Sequence, residues 1–260
     1  MDFPWFDVQH IIVASLVMLR VGTMLILLPV LGHQLIPTQV KIGFIVMISL
    51  LIFPIVQDQV PTIPINPIVF AIIAMQEMLI AGALALFAQL IFASAQFAGQ
   101  LMSFQMGMTV ANVFDPVTRS QQSVISQLTI TLAMLLWLVV GAHHMFIHAL
   151  IDSFTLFPIN HPWSFPAFLE LTDAAALMFV LALKIAAPIM LLLTFVFIAL
   201  GLVSRAVPQI QVFFVSFPLT IGLGLLTMAL GMPGIIYLMN DSFITLSSQV
   251  HFFLRHLGGQ

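Results

Sequence analysis

The chain has 260 residues, 62% of them hydrophobic and only 6% charged, whereas soluble domains average near half apolar and about a quarter charged. A soluble fold of this length cannot hide so much apolar surface, so the composition implies an all-α integral membrane protein. A net charge of −3, six scattered basic residues and no cysteine exclude a basic patch for nucleic acid, disulfides, thiol catalysis and cysteine metal sites.

The N-terminus carries Asp2 and Asp7 and no Lys or Arg before Arg20. A cleaved signal peptide wants a positive start, so the first apolar run is expected to persist. That run, Val8–Leu31, has the length of about 20 residues that a crossing needs. Arg20 lies near its middle, and Pro29 and Gly32 punctuate its end. Ile42–Val56 reads as a second span, and Gln57–Pro67, with Pro61, Pro64 and Pro67, as a turn-rich loop.

From Ile68 to Met108 only Glu77 carries charge. As one helix this run measures about 60 Å at 1.5 Å per residue, about twice the hydrocarbon thickness. It is expected to bend, break or project beyond the bilayer. Small residues recur four apart within it (Ala81/Ala85, Ser94/Ala98, Ala95/Gly99), a spacing that lets helices approach closely.

Gly99–Gln127 is the segment that stands apart. It holds Gly99 and Gly107, Met102, Met106 and Met108, Phe104 and Phe114, and then an Asp115-Pro116 step. Glycine lowers helix stability, and Pro116 pushes Asp115 from helical geometry. A broken apolar segment cannot face lipid, because its freed backbone groups would lack partners there. It is expected to line or close a cavity inside protein, with the adaptable methionines as filling.

Val124–Val140 reads as the next span, ending at Gly141 and the His143, His144 and His148 cluster. Ala149–Thr172, rich in proline and aromatics, is expected to be a loop. Asp173–Val203 is apolar but interrupted by Lys184 and Pro188, and the last run, Val212–Leu246, is expected to break at Pro218, Gly231, Pro233 and Gly234. The total is about six apolar helical segments, several long, kinked or broken. Lys41, Arg119 and Arg205 occupy the odd links, which places those links toward the cytoplasm if every run crosses.

Arg20, Glu77 and Lys184 lie inside apolar runs, where an ionised group costs about 2.5–3.5 kcal/mol or more. Two readings of Glu77 stay open: a proton or ion relay, or a structural ion pair. His144 and His148 have the spacing for a shared metal, but no acid completes a ligand set at a recognisable interval, so no metal is expected. No phosphate-binding loop and no nucleophile constellation is present, so neither catalysis nor a cofactor is expected. Ser204-Arg-Ala-Val-Pro-Gln-Ile-Gln211, with Arg205 and Gln209 between two apolar runs, reads equally as a cytoplasmic turn or a docking element.

Two of these stretches carry a resemblance. Gln105-Met-Gly-Met108 with Asp115-Pro116, and Ser204-Arg-Ala-Val-Pro-Gln209, resemble signature motifs of the FliR family of flagellar biosynthesis proteins, the R subunit of the type III export gate. Arg20 with Pro29, Pro37 with Lys41, Glu77 with Gly82, and Gly141-Ala-His-His144 extend the likeness over nearly the whole chain. Ala142 stands where the family has the second of two paired glycines.

The resemblance implies a subunit of the flagellar basal body in the bacterial inner membrane, built from a P-like part (about residues 1–170) and a Q-like helical hairpin (about 171–260). It implies assembly with P-type and Q-type subunits, contact with the B-type switch protein and the A-type export subunit, passage of unfolded substrates, and contact with lipid. It also implies that residues 104–122 plug the closed pore, with Phe104, Met106, Gly107, Met108, Phe114, Asp115 and Pro116 in that role. Arg20, Glu77, Lys184, Arg205 and Gln209 would then serve buried pairing and subunit contacts. The competing reading is a secondary transporter or proton-conducting protein that uses Glu77 and Lys184 at a midplane site.

Overall fold

The computed structural model describes residues 8–32, 36–57, 60–108, 123–160, 169–206 and 212–258. Seven α-helices account for most of them: α1 (Val8–Leu27), α2 (Thr38–Val56), α3 (Pro67–Gln105), α4 (Val124–Val139), α5 (Ala142–Leu156), α6 (Leu169–Ala206) and α7 (Val212–Leu257). No strand occurs among the described residues. Helices α1, α2, α3, α6 and α7 are each long and apolar enough to cross a membrane, while α4 and α5 reach that standard only as a broken pair. The break is a left-handed turn at Gly141, φ +74°, a conformation that costs glycine little.

The sequence expectations fail at two places for physical reasons. Ala149–Thr172 is not loop from its start: α5 continues to Leu156. Phe146, Leu150, Ser153 and Phe154 recur at helical spacing and are all buried, and this inward stripe outweighs the aromatic composition. The helix stops where Pro158 disfavours helical geometry in the residue before it; Phe157 is extended there, at φ −135° and ψ 83°. The second case is α7, a single helix of 46 residues through Pro218, Gly231, Pro233 and Gly234. A proline deletes one backbone hydrogen bond, but ending the helix in apolar surroundings would orphan several. For the same reason α6 runs through Lys184 and Pro188 without interruption.

The chain forms two compact units. The first comprises Met1–Leu90, Gly141–Ala175 and Phe243–Gln260. Its buried side chains are Val13, Leu16, Val17, Val21 and Met24 of α1, Ile45, Ile48 and Ile52 of the contacting α2, Ile80, Ala81 and Leu84 of α3, and Leu150 and Phe154 of α5. The end of α7 adds Phe253, Leu254 and Leu257, all fully buried, and Phe253 meets Phe87 edge to face with ring centres 5.4 Å apart. The Gln9 amide donates to the Ile63 carbonyl at 2.7 Å and accepts from the Ile63 amide at 3.1 Å, which pins the proline-rich link to the start of α1.

The second unit comprises Ile91–Val140 and Ala176–Ser242. Here α3 and α4 touch backbone to backbone. A Cβ on Gly99 would lie 2.5 Å from the Ser126 Cα and 3.0 Å from its amide nitrogen. The Ser126 hydroxyl donates to the Gln96 carbonyl at 2.7 Å, and Ser123 caps α4 by accepting from the Ser126 amide. Ala95 and Ala98 are buried on the same face, so small side chains permit this approach. Along α6, Ala182, Ile185, Ala186, Ile189 and Leu193 form the buried stripe.

Gly99→Ala is therefore expected to lower thermal stability, since no shift of a side-chain tip relieves a backbone contact; overpacking of this kind costs about 1–3 kcal/mol. Gly43→Ala, where nothing lies within 4 Å of the added carbon, is expected to be neutral or stabilising. Melting of the two purified variants in detergent compares them; equal midpoints would refute the close-contact assignment.

Candidate functional site

Two places combine unusual residues with specific geometry, one in each unit. In the first unit Arg20 sits inside the apolar stripe of α1 with its side chain 0% exposed, as is that of Glu77 on α3. The Arg20 Nε donates to Glu77 Oε2 at 2.5 Å. Its Nη1 donates to the Ser153 carbonyl at 2.9 Å and the Phe157 carbonyl at 3.0 Å, and lies 3.3 Å from the Ser153 hydroxyl. The guanidinium carbon stands 4.3 Å from the centre of the Phe154 ring, within cation–π range.

One planar cation thus joins three helices. It neutralises the carboxylate of α3 and donates to carbonyls at the end of α5, where the helix dipole is negative; the Ser153 carbonyl also accepts from the Phe157 amide at 3.0 Å. Only a forked guanidinium can do both. Arg20 Nη2 and Glu77 Oε1 have no hydrogen-bond partner among the described residues. Glu77 thus has the partner within the chain that the structural ion-pair reading calls for.

In the second unit the last turn of α3 ends abruptly. The Met106 amide bonds to the Met102 carbonyl at 2.9 Å, the Gly107 amide bonds to the Phe104 carbonyl at 3.0 Å, and the chain then turns left-handed at Gly107, φ +79°. Met106 is 0% exposed, and it seats against α7. The Thr220 hydroxyl donates toward the Met106 carbonyl at 3.1 Å. A Cβ on Gly224 would come within 2.6 Å of the Met106 Cε and 2.7 Å of its Cγ. A Cβ on Gly107 would come within 2.8 Å of the Phe217 ring. On the other side the Gln105 amide donates to the Thr194 hydroxyl of α6 at 3.3 Å. Phe217, Thr220 and Gly224 follow one another at helical spacing, so one face of α7 receives the end of α3.

The remaining sequence-derived candidates distribute as follows. Phe104 is 72% exposed, and Met108 is half-buried. Phe114, Asp115, Pro116 and Gln209 lie outside the described residues. Lys184 is exposed on α6 and Arg205 is exposed near its end, and neither has an ion-pair partner among the described residues. His144 and His148 are exposed on α5, and no group of three metal-ligating side chains occurs among the described residues. Ser153, Thr220 and Gly224 were not anticipated. Their only signal is a small residue within an apolar run, and such residues are abundant here.

Comparison with known proteins follows the same lines. The family model for bacterial export proteins, family 1, matches residues 11–246. The flagellar biosynthetic protein FliR of Bacillus subtilis (strain 168) is 32% identical over 234 residues, covering 88% of this chain and 89% of its own. The protein of the same name from Escherichia coli (strain K12) is 35% identical over 222 residues, covering 83% and 82%. That of Caulobacter vibrioides is 31% identical over 241 residues, covering 90% and 94%.

Removing one partner of the buried pair leaves an uncompensated charge, at a cost of about 3–5 kcal/mol. Glu77→Ala and Arg20→Ala are thus each expected to reduce the yield of folded protein severely, and the double variant Arg20→Met/Glu77→Met to recover part of it. Detergent-solubilised yield and melting of the three variants measure this. A double variant worse than the sum of the singles would contradict the pairing.

Proposed function

This chain belongs to the bacterial export proteins, family 1, and on that premise we propose that it is a structural and gating subunit of a flagellar protein-export channel. Its place is the bacterial inner membrane within the basal body, in a hetero-oligomer with P-type and Q-type subunits. About residues 1–170 form a P-like part and about 171–260 a Q-like pair of helices. The A-type export subunit and the B-type switch protein are its further contacts, and unfolded substrates pass alongside it. In the closed state residues 104–122 plug the passage, and Phe104, Met106, Gly107, Met108, Phe114, Asp115 and Pro116 are the residues of that plug.

The observation that carries this reading is the abrupt end of α3. A helix of 39 residues stops at Gln105, Met106 is fully buried against α7, and the left-handed Gly107 redirects the chain with Phe104 left exposed. A methionine-rich, glycine-turned segment suits a seal. Long unbranched thioethers fill irregular space and repack through weak dispersion contacts, so the seal blocks small ions and still yields to a polypeptide.

The wide apolar faces are compatible with an assembled chain. Leu183, Leu191, Phe195 and Leu202 on α6 and Leu226, Leu230 and Tyr237 on α7 are exposed, and neighbouring subunits or lipid must cover them. Lys184 lies on the same helix, exposed, and an ammonium in apolar surroundings needs a carboxylate or polar partner. Arg205 and Gln209 at the α6–α7 link are polar anchors for such contacts. The transporter reading uses Glu77 and Lys184 together, whereas Glu77 Oε2 is engaged by Arg20 and Lys184 is exposed on α6.

Deleting residues 109–114, which leaves Met106, Gly107 and α7 intact, is expected to preserve co-purification with P- and Q-type subunits while raising small-ion conductance of the assembled complex at least several-fold. Unchanged conductance in an assembled complex would overturn the plug assignment.

A further inference from the structure

The contacts that hold the end of α3 differ in kind from those that hold its middle. At Gly99 two backbones meet with no room for a methyl group, which is a fixed crossing. Over residues 105–107 the contacts are the unbranched Met106 side chain against Gly224, the Phe217 ring beside Gly107, and the Thr220 and Thr194 hydroxyls, bonded to the Met106 carbonyl and the Gln105 amide. The hydroxyls are also bonded within their own helices. Thr220 Oγ1 lies 2.9 Å from the Ser216 carbonyl as well as 3.1 Å from that of Met106, and Thr194 Oγ1 donates to the Met190 carbonyl at 2.7 Å while accepting from Gln105.

A hydroxyl has one proton to donate. When Met106 leaves, Thr220 keeps the Ser216 carbonyl and Thr194 keeps that of Met190, so α6 and α7 lose no obligatory hydrogen bond. Gly224 offers Met106 a hollow, not an interlocking partner, and Met106 has three rotatable side-chain bonds with which to leave it. Gly107 supplies a backbone joint immediately beyond. Departure from this seat strands no polar side chain on α6 or α7, unlike any rupture of the Arg20–Glu77 pair.

We propose that Thr194 of α6 and Thr220 and Gly224 of α7 form a releasable socket for the end of α3, and that withdrawal of Met106 from this socket accompanies channel opening. These three are positioning residues. They set where the segment after Gly107 begins. The inference rests on the plug reading above and adds the device that keeps the plug in place.

The chain has no cysteine, so an engineered pair reports cleanly. Gln105→Cys/Thr194→Cys in the assembled export complex, joined by a short, reducible bis-maleimide that spans the length of the Gln105 side chain, is expected to cut substrate export at least tenfold. Reductant should restore the linked complex, and each single-cysteine complex should be insensitive. A merely structural contact would not respond, since joining residues already in contact leaves a static scaffold unchanged. Export at the unlinked rate by a fully cross-linked complex would overturn the socket.

Gly224→Ala gives an independent measurement. The added carbon crowds Met106 while favouring the helix, and resting ion conductance of the assembled complex is expected to rise several-fold. Conductance equal to the parent's would count against the socket. The two proposals separate cleanly. Raised conductance on deleting 109–114 together with unaffected export after cross-linking leaves the plug and removes the socket. A silent deletion removes the plug itself.

Discussion

Arg20 is sealed from solvent in the interior of an apolar helix, and that constraint organises the first unit. An ionised guanidinium in such surroundings must collect its partners from the protein. It does so from three helices at once: the carboxylate of Glu77 on α3 and the carbonyls of Ser153 and Phe157 at the end of α5. Hydrophobic packing alone discriminates poorly among orientations when helices are apolar on nearly every side. A directional, charged fork does discriminate, because rotating α1 by one residue would carry it away from both partners. The surrounding Val, Leu and Phe side chains fill the volume, and the pair sets the register in which they do so.

Backbone groups obey the same rule. Water is the usual partner for an interrupted helix, and an apolar chain of this kind provides little of it. Helices α6 and α7 therefore continue through Pro188, Pro218 and Pro233, each giving up one hydrogen bond and avoiding the several that a terminus would orphan. Serine and threonine behave likewise: Ser94, Thr194, Thr227 and Ser242 return their hydroxyl protons to carbonyls of their own helix. Three of the helix ends among the described residues have a specific resolution: left-handed Gly141 and Gly107, and the end of α5, where Arg20 donates to the Ser153 and Phe157 carbonyls.

These rules explain what the sequence made legible. Composition alone settles an all-helical membrane protein, and apolar run length places α1, α2, α3 and α4 to within a few residues. The run from Ile68 to Met108 was recognisable as too long for one crossing, and it is one helix of 39 residues. Proline and glycine were misleading in α7, because their soluble-protein meaning as breakers depends on water. The loop assigned from Ala149 gave composition priority over the inward stripe that ends in Phe154. Arg20 and Glu77 each announced a need for a partner, yet 57 positions of chain separate them, and need does not identify the partner. Thr220 and Gly224 carried no announcement at all, since a threonine and a glycine in an apolar run look the same whether they face lipid or receive a methionine.

The proposed gating role sets two opposed demands, and each of the two units holds contacts of a different kind. Permanence favours contacts whose rupture is prohibitive, and a buried ion pair qualifies because either partner alone is intolerable in the interior. Reversibility favours contacts whose loss leaves the receiving helices satisfied. A shared hydroxyl and a glycine hollow qualify, since one has a second acceptor and the other has nothing to lose. The first kind lies among α1, α3 and α5 and the second at the end of α3, an arrangement under which the proposed release at the tip would leave the buried pair intact. A seal made of charged pairs would hold against ions but would also hold against substrate; a seal made of methionine resists the small and hydrated while giving way to the large and extended.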